Sequence, residues 1–436
     1  MAEKPLNLAE LNQSLRTFLD DSPTAFHACR SIENIFRAAG FERLEEHETW
    51  GLKTGQAYYV TRNDSSIISF RLPQPLASHG IHMVGAHTDS PCLKLKPNSL
   101  YRSNGYWQLG VEPYGGVLLN PWFDRDLSLA GRVTIQHKSH GLKNILVNLN
   151  KAIAIIPSLA IHLDREANKK RNINEQTYLP PIIGLTGETL DLNALLETAI
   201  KKEHGTDSLG NIVDFELSLY SIEPAGMVGI EEEFLASARL DNLLSCFIAA
   251  RAIADSKGNT NQLIVCNDHE EVGSGSAAGA RGSFLQDVLR RIAPGNEERL
   301  QCIARSLLIS TDNAHGIHPN FADKHDSRHG PMLNAGPVIK INANQAYASN
   351  SETSAIFKLA AEAANVPIQS FVTRSDMGCG STIGPLTATA LGVRTVDVGL
   401  PTFAMHSIRE LAGSKDPHYL YQTLGAFFEM TDLNCA

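Results

Sequence analysis

The chain has 436 residues, enough for two or three domains around a large buried core, and its 43% hydrophobic and 19% charged content is ordinary for a globular protein. A formal net charge of -9 argues against nucleic acid or an anionic membrane as the main partner. There is no apolar run long enough for a membrane span, the start Met1 to Leu8 lacks the apolar core of a signal peptide, and Cys29, Cys92, Cys246, Cys266, Cys302, Cys379 and Cys435 show no CxxC spacing, so a reduced, cytoplasmic protein is expected.

Residues 7 to 39 carry helical periodicity, with Leu8, Leu11, Leu15, Phe18 and Leu19 on one face, a break at Ser22-Pro23-Thr24, and a second helix from Ala25 to Ala39 ended by Gly40. Two strands then flank a turn at Asn63 and Asp64. The stretch Gly80 to Pro91 is a buried strand ending in His87 and Asp89. These two lie two residues apart and so share a face of an extended chain, where a carboxylate can fix the tautomer of a ligating imidazole; a satisfied strand-end histidine is the competing reading. From Lys94 the texture changes to short strands punctuated by Pro, Gly and aromatic residues, which marks an inserted β-rich domain over 94–232 and leaves 1–93 with 233–436 as a discontinuous second domain. Within the insert His162 reads on its own as a structural histidine, and the basic run Arg165 to Arg171 as a solvated face.

Asp241 stands immediately before the apolar helix that continues to Ala254. There Asp is a favoured N-cap and equally a good place for a metal-binding carboxylate, and spacing alone leaves both readings open. Leu263 to Asn267 is a second buried strand, ending in His269, Glu270 and Glu271, and then Gly273, which permits a turn that can bring neighbouring carboxylates to one site. Two carboxylates held close together call for a cation or a shared proton. The loose glycine pattern Gly273 to Gly279 suggests a dinucleotide loop only superficially, because Asp268, Glu270 and Glu271 would repel a pyrophosphate. A third strand ends at Asp312, and a fourth carries Lys340, for which surface snorkelling is the ordinary role. A helix over Gln345 to Asn365, a strand over Ile368 to Thr373, a glycine-rich turn from Asp376 to Gly384, a strand from Arg394, the segment Met405 to Glu410 with His406, and a C-terminal helix complete the chain.

His87, Asp241, Glu271, Asp312 and His406 make a suitable ligand set for two divalent ions bridged by one carboxylate, and Glu270 remains as a general base for an activated water. No cysteine is among them, which favours hydrolytic over structural zinc; zinc, cobalt and manganese all suit these ligands. The motifs Gly-Ala-His87-Thr-Asp89-Ser-Pro, Ala-Arg-Leu-Asp241-Asn, Asp-His-Glu270-Glu271-Val-Gly-Ser, Asp312-Asn-Ala-His-Gly-Ile-His-Pro-Asn, Gly-Pro-Val-Ile-Lys340 and Ala-Met-His406-Ser-Ile-Arg-Glu closely resemble the aspartyl aminopeptidases of the M18 metallopeptidase family.

The resemblance implies an α/β, mixed-sheet (phosphorylase/hydrolase-like) dimetal catalytic domain with an inserted β-rich oligomerisation domain. One ion would be held by His87 and Asp312 and the other by Glu271 and His406, with Asp241 bridging and Asp89 in support. Glu270 would take a proton from the bridging water. By the same resemblance His162 would reach a neighbouring subunit's site, the assembly would be a tetrahedral homododecamer, and the substrates would be peptides with N-terminal Asp or Glu. Lys340 is the expected partner of that acidic side chain, with Tyr347 and the Gly378 to Gly380 turn as pocket walls. The alternatives are a deacylase or carboxypeptidase of the same clan, or a non-catalytic metal-dependent assembly protein.

Overall fold

A computed structural model describes residues 6–137, 141–187, 189–205 and 210–433. Met1 to Pro5, part of the stretch that carried the signal-peptide expectation, and Cys435 lie outside the described residues; the six described cysteines form no disulfide. Among the described residues no helix is long and apolar enough to cross a membrane.

The chain forms two compact units: Met1–Asp89, Ala225–Met405 and Glu410–Ala436 make one, and Ser90–Pro224 with His406–Arg409 the other. The divisions fall a few residues before 94 and 233. Cys92–Ser103 is already a strand of the smaller unit's sheet, and Gly226–Val228 already pairs with Phe234–Ser237 in the larger unit.

The larger unit is built on a nine-stranded mixed sheet. His82–His87 lies at its middle, parallel both to Gln262–Asn267 and to Leu307–Thr311, which in turn is parallel to Arg394–Gly399. Val338–Ile341 joins antiparallel to Arg394–Gly399. Central strands covered on both faces must be apolar on both, and they are: Ile264 and Cys266 enter one core while Leu263 and Val265 enter the other. The first core is roofed by Leu8–Asp20, Ala25–Ala38, Leu240–Asp255, Ser351–Ala363 and Asp416–Glu429; the second holds Phe284–Ile292 and Asn296–Arg305. The expected turn at Asn63 and Asp64 is present, with φ of 59° and 55°, between the strands Ala57–Arg62 and Ser66–Arg71. The helix expected from Gln345 instead begins at Ser351. Asn350 and Thr353 form a reciprocal capping box, and an N-cap sets the first turn.

His82 gives this sheet an acid-sensitive position. Its Nδ1–H donates to the Asn261 carbonyl at 3.2 Å and its ring centroid lies 5.0 Å from that of Phe427. Burial lowers its pKa from 6.5 to about 4, only partly opposed by the backbone of Asn261 and Met430. Because the folded pKa is depressed, the unfolded chain takes up the proton first; the contribution is complete above pH 6.5 and is lost as pH falls towards 4, amounting to about 3 kcal/mol. In metal-free protein, His82→Phe is therefore expected to flatten the fall of unfolding free energy between pH 6.5 and 4.5. An unchanged slope would show that His82 is not the titrating group.

The smaller unit is a six-stranded antiparallel sheet, ordered Gly141–Asn148, Leu127–His137, Asn211–Ser221, Cys92–Ser103, Tyr106–Tyr114 and Ile182–Leu185. Its core includes Leu109, Leu129, Val133, Val147 and Leu217, and the helix Leu192–His204 contributes Leu196 and Ile200 to it.

Candidate metal centre

Three parallel strands of the larger unit end side by side. His87 is in register with Asn267, and Ser310 with Gly85, so the residues that follow each strand gather at one edge, where open α/β sheets collect ligands. The approach is close. A Cβ on Gly399 would lie 1.9 Å from the main-chain oxygen of Asp312, so only glycine lets the neighbouring strand run past it.

At this edge His87, Asp241 and Asp312 each offer a ligand atom, all within 4.8 Å of one another, and so do His87, Glu270 and Glu271. His87 is buried, and its Nδ1 lies 3.1 Å from the main-chain oxygen of Asp89. A carbonyl can only accept, so Nδ1 carries the hydrogen and the Nε2 lone pair faces outward. Nε2 is 3.5 Å from Oδ1 of Asp241 and 3.5 Å from Oδ1 of Asp312. A lone pair facing two carboxylates needs positive charge between them. Burial alone would disfavour an imidazolium, yet Asp241, Asp312 and Asp89 hold the His87 pKa well above its ordinary value. A divalent cation fits this donor set, being the charge that neutral imidazole and carboxylates bind together.

Asp89 does more than face its neighbour on the strand. Its two carboxylate oxygens accept the backbone N–H groups of Glu270 and Glu271, each at 3.1 Å, and thereby hold the turn that carries both glutamates. That turn is a 3-10 segment, Glu270–Val272, entered through His269 at φ 64° and left through Gly273 at φ 88°. Burial pushes Glu270 up to about 7; His87 opposes the shift, while Asp312, Asp241 and Asp89 add to it. It is a carboxyl poised near neutrality.

Asp241 does not act as a helix N-cap. It and Asn242 have non-helical dihedral angles, the peptide between them is cis, and the helix proper follows. The Asp241 N–H donates to Oε2 of Glu410 at 2.9 Å, and the Asn242 amide donates to the Thr311 carbonyl at 2.8 Å, beside Asp312. Glu410 is buried and 169 residues away in sequence. The sequence motif contains it but gives it no role.

Lys340 is only 2% exposed, with Nζ 3.4 Å from Oδ2 of Asp312 and 3.2 Å from the Asn313 carbonyl. It is therefore no snorkelling surface lysine. It lies 5.2 Å from the centroid of the Tyr347 ring, and Tyr347 in turn lines a cavity of about 320 Å³ together with His315, Phe371, Gly378, Gly380 and Phe403.

Two expected residues belong to the smaller unit. His406, at φ 68°, directs Nδ1 to the Gly116 carbonyl at 3.0 Å, which leaves Nε2 as its ligand atom. A Cβ on Gly116 would come within 3.2 Å of that Nδ1. Gly116 is thus a further residue that sequence reading passed over, since a single glycine in a glycine-rich loop carries no distinguishing signal. His162 is exposed, between the exposed side chains of Ile161 and Leu163.

A family model described as aminopeptidase I zinc metalloprotease (M18) matches residues 18–428. A Pseudomonas aeruginosa protein named probable M18 family aminopeptidase 2 is 57% identical over 429 residues, covering 98% of this chain and 99% of that one. The cryo-EM structure of the Ape4 and Nbr1 complex contains a chain similar to this one with TM-score 0.92 and 40% identity, over 97% of this chain and 86% of that one. A structure of the S. cerevisiae mApe1 dodecamer matches with TM-score 0.84 and 26% identity over 97% of both chains.

Proposed function

Since the chain belongs to the M18 family of zinc metalloproteases and is an aminopeptidase on that footing, we propose that it removes N-terminal Asp or Glu from peptides at a centre of two divalent ions. The observation that carries this reading is the His87 Nε2 lone pair facing Asp241 and Asp312 while Glu270 stands beside it with a proton affinity near neutrality. His87 and Asp312 would hold one ion, Glu271 and His406 the other, and Asp241 both; the share of His406 and the bridging role rest on the motifs alone. Bound there, the ions supply Lewis acidity to the scissile carbonyl and lower the pKa of water.

The remaining steps fall to the chain's own groups. The Glu270 carboxylate takes the proton from the attacking water and returns it to the leaving amine, work that needs a carboxylate held within reach of both. Asp89 keeps Glu270 in reach by holding its backbone N–H. Lys340 lies 5.2 Å from the ring centroid of Tyr347, which lines the cavity, and Lys324 and Arg374 line the same cavity directly; cations around it support the Asp or Glu preference. A carboxypeptidase reading lacks comparable support, because the relatives are named aminopeptidases.

The deciding assay measures release of the first residue from matched Asp-, Glu-, Leu- and Lys-peptides, before and after chelation and with zinc, cobalt or manganese added back. Chelator-sensitive cleavage confined to acidic N-termini is expected. Metal-dependent cleavage without that preference would overturn the specificity and keep the metal centre.

We also infer that the protein works in the cytoplasm as a homo-oligomer, a dodecamer by analogy with the S. cerevisiae relative, with the smaller unit as its assembly domain and His162 serving a neighbouring subunit's site. The support in this chain is an apolar strip on that unit, where Leu159, Ile161 and Leu163 are 60%, 46% and 75% exposed around His162. Leu163→Glu is expected to shift light scattering towards smaller species, each lost contact costing about 1–2 kcal/mol, and to lower activity with it. Wild-type mass with full activity would remove the strip from the interface.

A further inference from the structure

Lys340 sits on Val338–Ile341, beside the buried Val338 and Ile339, and is itself almost fully enclosed. An ammonium so far from water is tolerated only when its donors meet acceptors and its charge is balanced. Two of its N–H groups donate to Oδ2 of Asp312 at 3.4 Å and to the Asn313 carbonyl at 3.2 Å, and its charge lies 5.2 Å from the centroid of the Tyr347 ring. Asp397, buried on the strand antiparallel to it, supplies a second negative charge nearby. Asp312 is thereby divided between two tasks. Oδ2 belongs to Lys340, while Oδ1 points at Nε2 of His87, 3.5 Å away.

We infer that Lys340 is a positioning residue for the metal ligand Asp312, holding Oδ2 so that Oδ1 alone is presented to the ion it shares with His87. The inference rests on the two-ion reading above and extends it. Because its ammonium is already bound to Asp312, Lys340 can meet an acidic substrate side chain only by sharing a charge that a metal ligand also uses. Recognition of the first residue and retention of one ion are then coupled through a single side chain. A lysine serving only as a specificity contact would leave ion binding untouched.

The test uses the full-length chain, stripped by chelation and titrated with zinc against a chromogenic chelator, with a parallel cobalt titration followed by visible absorption. Wild type is expected to take two ions. Lys340→Met should weaken one of them about 10- to 100-fold, the size of effect seen when a group that orients a ligand is removed, and should alter only that ion's cobalt spectrum. Lys340→Gln retains N–H donors without the charge and should weaken the same ion by less; it also decides the matter if the methionine variant does not fold. Wild-type affinity for both ions in the folded variants overturns the inference, as does equal weakening of both with a lower melting temperature of the stripped protein, which marks a general core residue. A wild-type chain that fails to take two ions overturns the two-ion reading itself and the inference with it.

Discussion

Replacing Glu270 with Gln is expected to lower kcat about 100- to 10,000-fold, roughly 3–5 kcal/mol of transition-state stabilisation, while both ions are still taken up. The substitution keeps the size of the side chain and leaves the backbone N–H on Asp89, so the turn should hold. What it removes is the group that accepts a proton. Geometry alone permits either glutamate to act as ligand, since Glu270 and Glu271 both stand within reach of His87. Metal content separates them: Glu271→Gln should lose an ion and Glu270→Gln should not. The pH profile gives a second reading. Burial and neighbouring carboxylates bring Glu270 to about 7, and bound cations beside it favour its ionised form, so the acid limb of kcat/KM should lie below pH 7. That limb reflects protonation of the base as pH falls, and it should be missing from the residual activity of Glu270→Gln. Full turnover in that variant would remove Glu270 from the mechanism.

The ends of the strands were legible from sequence because a buried strand that terminates in charge is an uncommon local pattern. Leu263 to Cys266 is apolar and buried, and acidic residues follow; solvated loop charges would explain that pair alone, and it is the same ending on the strands before His87 and Asp312 that points to a site. Asp241 was only half legible. Its position before a helix suited a cap as well as a ligand, and the choice depends on the non-helical dihedral angles at Asp241 and Asn242 and on Glu410, whose carboxylate arrives from far along the chain. The late start of the helix at Ser351 was legible in principle, since Asn350 and Thr353 are a capping pair, but the apolar periodicity from Gln345 outweighed it. Lys340 shows the limit of pattern reading. Alternation identified the strand, but a lysine among apolar residues looks the same whether it snorkels to water or is enclosed against Asp312 and Asp397.

Asp89 should prove almost as consequential as the base, for a reason its sequence spacing did not reveal. The expected outcome for Asp89→Asn is a loss of about 10- to 100-fold in ion affinity and a further fall in kcat of about 100-fold. Asn has nearly the same shape, but it offers one acceptor oxygen where the turn needs two. One of the N–H groups of Glu270 and Glu271 then faces an N–H₂ group in a buried setting, where an unmet donor costs about 1–3 kcal/mol, so the turn shifts and carries both carboxylates with it. Fold stability need not follow. Asp268 is buried close by, and burial and the charge of Asp89 together raise its pKa; removing that charge relieves the repulsion and offsets part of the lost hydrogen bonding. The melting temperature of the metal-free variant is therefore expected to stay within a few degrees of wild type while zinc affinity and turnover fall. If the order is reversed, with a much lower melting temperature but wild-type affinity and turnover in the folded fraction, Asp89 is a structural turn residue and the glutamates are held by something else.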